Sequence, residues 1–190
     1  YKFRETMVVE FDEQKADHEE MLLFFFIKVF NYDTPGYAPP DRIVTSEWKE
    51  IGFQGSDPRT DFRGAGILGL HCLLYLMRNY HLEFEEMRKA AKEKDFMMAI
   101  CSINVTHHLL VYLYLNKHEP APTLKKKQAG RREFKAFARM NSKYKKTFFE
   151  LHCIFLRIVF RLWLKEANKQ LLDFNALLEQ GKEMIAKLLQ

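Results

Sequence analysis

Long apolar runs, separated by polar breaks that contain proline and glycine, dominate the pattern of hydrophobic and polar positions along the chain. Residues 21–30, 67–77 and 151–164 are apolar nearly all round, which is typical of helices buried in a core. Residues 96–115 form a further apolar run that five polar or ionisable residues interrupt, which favours a buried helix over a membrane span. There is no strand-like alternation, hairpin turn or internal repeat. The pattern therefore predicts an all-α fold of about six to eight helices.

Capping residues predict where several helices start. Asp12 is expected to cap the first helix, because acidic residues crowd the turns that follow it and suit the positive end of a helix dipole. Asp95 is expected to cap the helix over 96–115, and Asp173 is expected to cap the last helix. The other expected helices lie at 46–51, 67–79, 83–94, from 131 onward and at 143–167.

The length and composition of the chain bound its organisation. With 190 residues, of which 47% are hydrophobic, the chain is expected to bury one core as a single compact domain over 1–190. Residues 1–11 are expected to be an extension, and residues 118–130 a linker loop rich in proline and lysine. Three well-separated cysteines in apolar sequence predict reduced thiols in a cytoplasmic protein. The chain begins with tyrosine and is expected to be a piece of a longer protein.

The charge of the chain is unevenly distributed. The net charge is +5, and residues 124–146 hold ten basic residues and one acidic residue with aromatic residues interleaved. Such a run is usually a solvated face, and no nucleic-acid-binding motif accompanies it, so we predict no nucleic-acid partner. Contact with an anionic membrane surface is the functional alternative, at about 1 kcal/mol for each basic residue near the surface. The protein would then be peripheral to intracellular membranes.

His107 and His108, on the interrupted apolar helix, are the strongest candidates for metal ligands. No acidic residue or cysteine follows either histidine at a spacing of three or four residues, whereas a zinc site needs several such ligands. Histidines of the core or of a helix face are therefore the better interpretation. We predict no metal site and no bound cofactor.

The segment 48–66 joins a short helix to a long apolar one, and it combines glycine, proline, aromatic residues and arginine at close spacing. Gly52 suits the left-handed position that closes a helix, and Pro58 after an aspartate suits a turn. Three large aromatic side chains are expected to be buried plugs that hold this irregular loop against the core: Trp48, Phe53 and Phe62. The segment is therefore predicted to follow a fixed path.

Arg63 is the candidate functional residue of this segment. It is expected in the first turn of the following helix, where N–H groups are unsatisfied and a cation is opposed by about 0.3–1 kcal/mol. Asp61 is expected to cap that helix, and the combined field is expected to favour an incoming anion. Gln54 either anchors the loop by a hydrogen bond or contacts a partner. Although an isolated arginine is more often an ordinary surface charge, a residue that violates a local preference is a reasonable place to look for function.

A longer string of characteristic positions runs through the segment: Trp48, Gly52, Phe53, Gln54, Pro58, Thr60, Asp61, Phe62, Arg63, Gly64, Gly66, Gly69 and Leu70. This string resembles the signature of the ELMO domain. It is most similar to the stand-alone ELMO-domain proteins that act as GTPase-activating proteins for Arf and Arf-like GTPases. Weaker similarity at 102–106, at 122–124, near Trp163 and at Asp173-Phe174 extends the resemblance over most of the chain. So many matching positions in so short a segment make the string specific.

The resemblance implies a function for Arg63. In this family the corresponding arginine is held to be the catalytic arginine that stimulates GTP hydrolysis in a partner, with the surrounding motif residues as its frame or as partner surface. An arginine supplied in trans can accelerate hydrolysis about 10³–10⁵-fold, because its planar, permanently charged group bonds two oxygens of the transferred phosphoryl. GTP and Mg²⁺ would belong to the partner, so the chain would be an enzyme activator and not an enzyme. The alternatives are a non-catalytic ELMO-type module that binds a GTPase or an exchange-factor scaffold, and a free-standing binder of lipid or nucleic acid.

Overall fold

A computed structural model describes residues 9–30, 43–116, 128–165 and 174–190 of the chain. In these ranges the secondary structure consists of seven α-helices, two 3₁₀ helices and no strands, which confirms the all-α prediction. The α-helices are α1 Ala16–Val29, α2 Ile67–Asn79, α3 His81–Lys94, α4 Met98–Tyr112, α5 Arg131–Lys143, α6 Thr147–Lys165 and α7 Phe174–Leu188. The 3₁₀ helices are Ser46–Ile51 and Pro58–Gly64. The expected cap at Asp173 and the lysines at 125–127 lie outside the described residues.

The described chain divides into two compact units. Residues 9–103 form one unit, and the described residues from 104 onward form the other. The division predicted from the sequence, a single domain with an extension at 1–11 and a linker at 118–130, stays a prediction. None of the described helices combines the length and the apolarity that a membrane span needs.

Aromatic side chains fill the core of the first unit. Phe25 and Phe26 of α1 are fully buried and pack on the indole of Trp48, with ring centroids 6.2 Å and 4.9 Å away. Phe84 of α3 meets Phe25 edge-on at 6.3 Å. Because α1 is apolar on nearly every side over its second half, it can contact several elements at once and lie at the centre of this packing.

Two of the helix starts that differ from the prediction involve aspartates that were expected to be caps. Helix α1 begins at Ala16, because the carbonyl of Asp12 first accepts from the amide of Lys15 in a separate turn, and the Asp12 carboxylate accepts from the amide of Gln14. Asp95 ends α3 and does not start α4, since it adopts the left-handed conformation with φ 58°. Aspartate tolerates this conformation better than most residues do, so the same residue type can end a helix as well as start one.

Helices α6 and α7 form the core of the second unit, and α5 packs on α6. The close approach of α6 and α7 depends on Gly181, where a Cβ atom would meet the ring of Phe155 and the side chain of Val159. Helix α6 starts at Thr147, four residues later than predicted, because Tyr144 is extended and separates it from α5. The three cysteines are buried, and burial raises the pKa of the Cys101 thiol well above its ordinary value.

Candidate functional site

Gly52 fixes the first bend of the motif segment. It closes the first 3₁₀ helix with φ 86°, in the left-handed region predicted from the sequence. A Cβ atom there would lie closer than 3.0 Å to backbone atoms of Met97 and Met98, and the carbonyl of Gly52 accepts from the amide of Ile100 at 3.2 Å. Two backbone segments therefore touch at a position where no other residue fits without a shift of the chain.

Gly66 fixes the second bend. It has φ 60° and lies directly before α2, and a Cβ atom there would overlap the carbonyl oxygen of Val9. The same carbonyl accepts from the amide of Ile67 at 2.9 Å, which satisfies one of the N–H groups that the start of α2 leaves without an intrahelical partner. The segment between the two glycines is thus held at both ends by backbone contacts.

The three aromatic residues of the segment are buried, as expected. Trp48 donates from Nε1 to the carbonyl of Ile43 at 2.6 Å, so its polar atom is satisfied inside the core. The ring of Phe53 meets those of Trp48 and Phe62 edge-on, with centroids 5.2 Å and 5.9 Å apart, and Phe62 also stacks on Phe11 at 5.4 Å. These side chains hold the two 3₁₀ helices against the aromatic core of the first unit.

Arg63 does not lie where the sequence argument placed it. It belongs to the last turn of the second 3₁₀ helix, which Asp57 caps by accepting from the amide of Arg59 and which starts at Pro58. Helix α2 begins only after the left-handed Gly66. The expected position in the first turn of α2 is therefore wrong, and a cation at the end of a helix is favourable.

Asp61 has a different role from the predicted cap. Its Oδ2 accepts from the amide of Gln54 at 3.0 Å and so ties the loop between the two 3₁₀ helices to the second of them. Partial burial raises the pKa of the Asp61 carboxyl, and this effect outweighs the hydrogen bond from Gln54 and the nearby charge of Arg63, which both lower it. Gln54 is anchored through its backbone, while its residue is exposed, so its side chain remains accessible to a partner.

The side chain of Arg63 is exposed and held at one point. Its Nε donates to the carbonyl of Thr60 at 2.8 Å. Within the part of the chain that the structure describes, no carboxylate pairs with it and no acceptor bonds its two Nη groups. The hydrogen bond at Nε restricts the conformation of the side chain, while the two Nη groups of the guanidinium can still donate two parallel hydrogen bonds.

Arg59, in the first turn of the same 3₁₀ helix, is bound internally. Its Nε lies 3.0 Å from Oε1 of Glu19, its Nη2 lies 3.3 Å from Oε2 of the same residue, and its Nη1 is near Glu13 and Asp57 at 3.5 Å and 3.7 Å. Its side chain is 25% exposed. No local pattern indicates the pair with Glu19, because 40 residues separate the partners.

The other motif residues divide into buried and accessible ones. Pro58 is buried in the first turn of its helix, whereas Thr60 is exposed and donates from Oγ1 to the carbonyl of Asp57. Gly64 is exposed next to Arg63. Gln54, Thr60, Arg63 and Gly64 thus supply accessible surface, which we call the Arg63 face. The segment 48–66 has two exposed cations without an ion pair to another described residue. They are Arg63 and Lys49, which lies on the first 3₁₀ helix.

No group of three metal-binding side chains occurs among the described residues. His107 and His108 meet edge-on at 6.4 Å, and Nδ1 of His108 lies 4.0 Å from Glu179, a residue that Lys182 also contacts. The prediction that the chain needs no metal or cofactor stays a prediction.

Comparison with known proteins identifies relatives over most of the chain. The model of the ELMO/CED-12 family matches residues 1–178. The chain is 31% identical over 207 aligned residues to ELMO domain-containing protein 1 of Bos taurus and 32% identical over 181 to ELMO domain-containing protein 2 of Mus musculus. These alignments cover 95% and 94% of this chain but 56% of each relative, so the chain spans about half the length of the relatives. No solved structure matches.

Proposed function

Because the chain belongs to the ELMO/CED-12 family, we propose that it is a GTPase-activating protein that supplies Arg63 in trans to an Arf-family small GTPase. The family is linked in general to small-GTPase pathways. The observation that carries the proposal is that Arg63 is exposed and held at Nε by the carbonyl of Thr60, while the neighbouring Arg59 is neutralised internally.

The proposed chemistry uses the outer edge of the guanidinium. During hydrolysis, negative charge spreads over the oxygens of the transferred phosphoryl, and two donors in a planar fork stabilise it better than a point charge does. The contacts at Gly52 and Gly66 keep the segment in one path, so little reorganisation accompanies delivery of Arg63. GTP and Mg²⁺ are bound by the GTPase, and the chain acts as an activator without a cofactor or substrate of its own. The proposal includes a cytoplasmic location, peripheral to intracellular membranes.

Single-turnover GTP hydrolysis by a panel of Arf and Arf-like GTPases tests this function. The wild-type chain should accelerate at least one member, within the range of about 10³–10⁵-fold that an arginine in trans can supply. Arg63→Lys and Arg63→Ala should lose most of that stimulation and remain folded. Arg59→Lys is the matched control, since it keeps a cation beside Glu19, and it should stimulate like the wild type.

Two outcomes contradict the proposal. If Arg63→Ala stimulated GTP hydrolysis as strongly as the wild type does, a group other than Arg63 would be responsible for the acceleration. Tight binding of a GTP-loaded member by the wild-type chain, without any acceleration across the panel, would favour the non-catalytic module that binds a GTPase or an exchange-factor scaffold.

A further inference from the structure

Helix α5 carries four basic residues in one line on its outer side. They recur at spacings of three, four and four residues, and we call them the basic stripe: Arg132, Lys135, Arg139 and Lys143. All four are exposed, and the stripe lies opposite Phe137, which is 3% exposed and packs inward. The stripe is therefore the part of α5 that an approaching surface would meet.

The described part of the protein does not neutralise the stripe. Across the described ranges of the chain, none of its members pairs with a carboxylate. Glu133, the single acid of α5, is on the inward side, where its Oε1 accepts from Gln190 at 3.2 Å. Burial raises the pKa of Tyr112, and the charge of Glu133 adds to this shift. Like charges at a spacing of four residues destabilise a helix, and Arg131 and Arg132 also oppose the dipole at its start. A helix that keeps so much unrelieved repulsion is suited to an anionic partner.

Partly exposed apolar side chains lie on the two flanks of α5, between the stripe and the buried side that carries Phe137. Phe134 on one side is 39% exposed and Met140 on the other is 40% exposed, while Tyr144 just beyond the helix is 50% exposed. Tyr114 lies edge-on to Phe134 at 6.2 Å, which adds a third exposed aromatic ring. Basic side chains flanked by aromatic and flexible apolar ones are typical of helices that lie in the interface of a bilayer.

We propose that α5 docks flat on an anionic lipid bilayer, with the basic stripe on the lipid phosphates and the side chains of Phe134, Met140 and Tyr144 at the level of the headgroups. A bilayer fits better than a nucleic acid, because apolar side chains are exposed on both flanks of α5, where headgroups can surround them and a groove of phosphates would leave them in water. This inference rests on the peripheral location included in the proposed function, and it assigns that location a surface and a lipid class. It does not involve Arg63, so the hydrolysis assay and the lipid assay can fail independently.

Flotation with vesicles measures the proposed contact. The 190-residue chain should bind vesicles of phosphatidylcholine that contain about one third phosphatidylserine, and it should not bind vesicles of phosphatidylcholine alone. A basic residue near such a surface contributes about fivefold to partitioning. The combined variant Lys135→Gln, Arg139→Gln, Lys143→Gln should therefore bind about a hundredfold more weakly.

A variant with the same loss of net charge elsewhere is the control. Lys89→Gln, Lys92→Gln, Lys94→Gln removes three cations from α3 and should retain most of the binding. An equal loss in the two variants would show a response to net charge alone and overturn the assignment to α5. Unchanged binding by the α5 variant would overturn it as well.

Two further measurements separate the kinds of partner. Phe134→Ser combined with Met140→Ser should weaken vesicle binding roughly tenfold, since part of the apolar area would no longer leave water. Unchanged partitioning by that variant would overturn the apolar contact. Binding to a DNA duplex of about two helical turns at physiological salt, with the same dependence on the stripe but no vesicle binding, would make α5 a nucleic-acid face and overturn the bilayer.

Discussion

Two basic regions of the protein, the second 3₁₀ helix and α5, differ in how their cations are bound. In the second 3₁₀ helix, one arginine is bound by three carboxylates while the other is exposed and fixed by a single backbone bond. In α5, all the cations of the stripe are exposed, and among the described residues none has a carboxylate partner. The first arrangement suits a directional contact with one group, because the backbone determines where one guanidinium lies. The second suits a diffuse anionic surface, because its field depends on the number of charges and little on their exact positions.

The largest expected effect comes from the glycines that hold the first region. Gly66→Ala and Gly52→Ala would place a Cβ against backbone atoms at a positive φ, so each should lower the free energy of unfolding by about 2–4 kcal/mol. Gly55→Ala is the control, because its nearest neighbour is 3.8 Å away and it should cost less than about 1 kcal/mol. Urea denaturation measures all three. Similar midpoints for Gly66→Ala and Gly55→Ala would contradict the close contact at Val9.

The two arginines of the 3₁₀ helix should differ in stability. Arg59→Ala leaves the partly buried Glu19 without its partner and should cost roughly 1–2 kcal/mol, discounted for the 25% exposure of both side chains. Arg63→Ala removes one exposed bond and should cost about 0.5 kcal/mol or less. Thermal unfolding compares them. Equal melting temperatures would contradict the internal role of Arg59.

Substitutions of Asp61 test how the loop between the two 3₁₀ helices is held in place. Asp61→Ala removes the acceptor of the Gln54 amide and should cost about 1 kcal/mol, whereas Asp61→Asn keeps an acceptor oxygen and should cost less. The raised pKa of Asp61 means that its folded state binds a proton more readily than its unfolded state. Its contribution to stability is therefore complete below the unfolded pKa and lost as pH rises through the folded pKa. The stability of Asp61→Asn relative to the wild type should accordingly increase with pH across that acidic window, and a flat difference in chemical denaturation would contradict the shift.

The smallest effect concerns the repulsion within α5. Arg139→Gln removes two like-charge contacts, with Lys135 and Lys143 at four residues' distance, and should raise the stability by a few tenths of a kcal/mol. Arg88→Gln in α3 is the opposite case, because Arg88 pairs with Glu85 at 2.7 Å and its loss should be slightly destabilising. Differential scanning calorimetry at low salt should resolve the opposite signs. A loss of stability in both variants would indicate that Arg139 has an internal partner.

Local pattern in the sequence predicts several elements of the fold closely. The helices expected at 46–51, 67–79 and 83–94 are present. A glycine flanks each of the first two, and the third consists mainly of residues that favour helices. The left-handed Gly52 also follows from its place after a short helix. The predictions that are wrong depend on distant contacts or on competing turns: Asp61 and Asp95 resemble N-caps, but one binds the amide of Gln54 and the other ends α3.

The candidate site is predictable in part for the same reason. The motif places Arg63 and its frame together as neighbours, and burial of Trp48, Phe53 and Phe62 follows from their size and apolarity. The internal neutralisation of Arg59 is not predictable, because no local rule links it to Glu19 on another helix. The second 3₁₀ helix is not predictable either, because Pro58 at the start of such a short helix is equally typical of a turn.

The backbone upstream of α1 also matters for choosing where a shortened version of this protein should begin. The carbonyl of Val9 occupies the first amide of α2, and the ring of Phe11 covers Phe62 on the helix that bears Arg63. A chain that started at α1 would keep every helix of the first unit. It would nevertheless lose the ring that covers Phe62, directly behind the Arg63 face. If such a shortened protein lacked the proposed stimulation, the loss would indicate missing support for Arg63 and not a missing contact with the proposed GTPase partner.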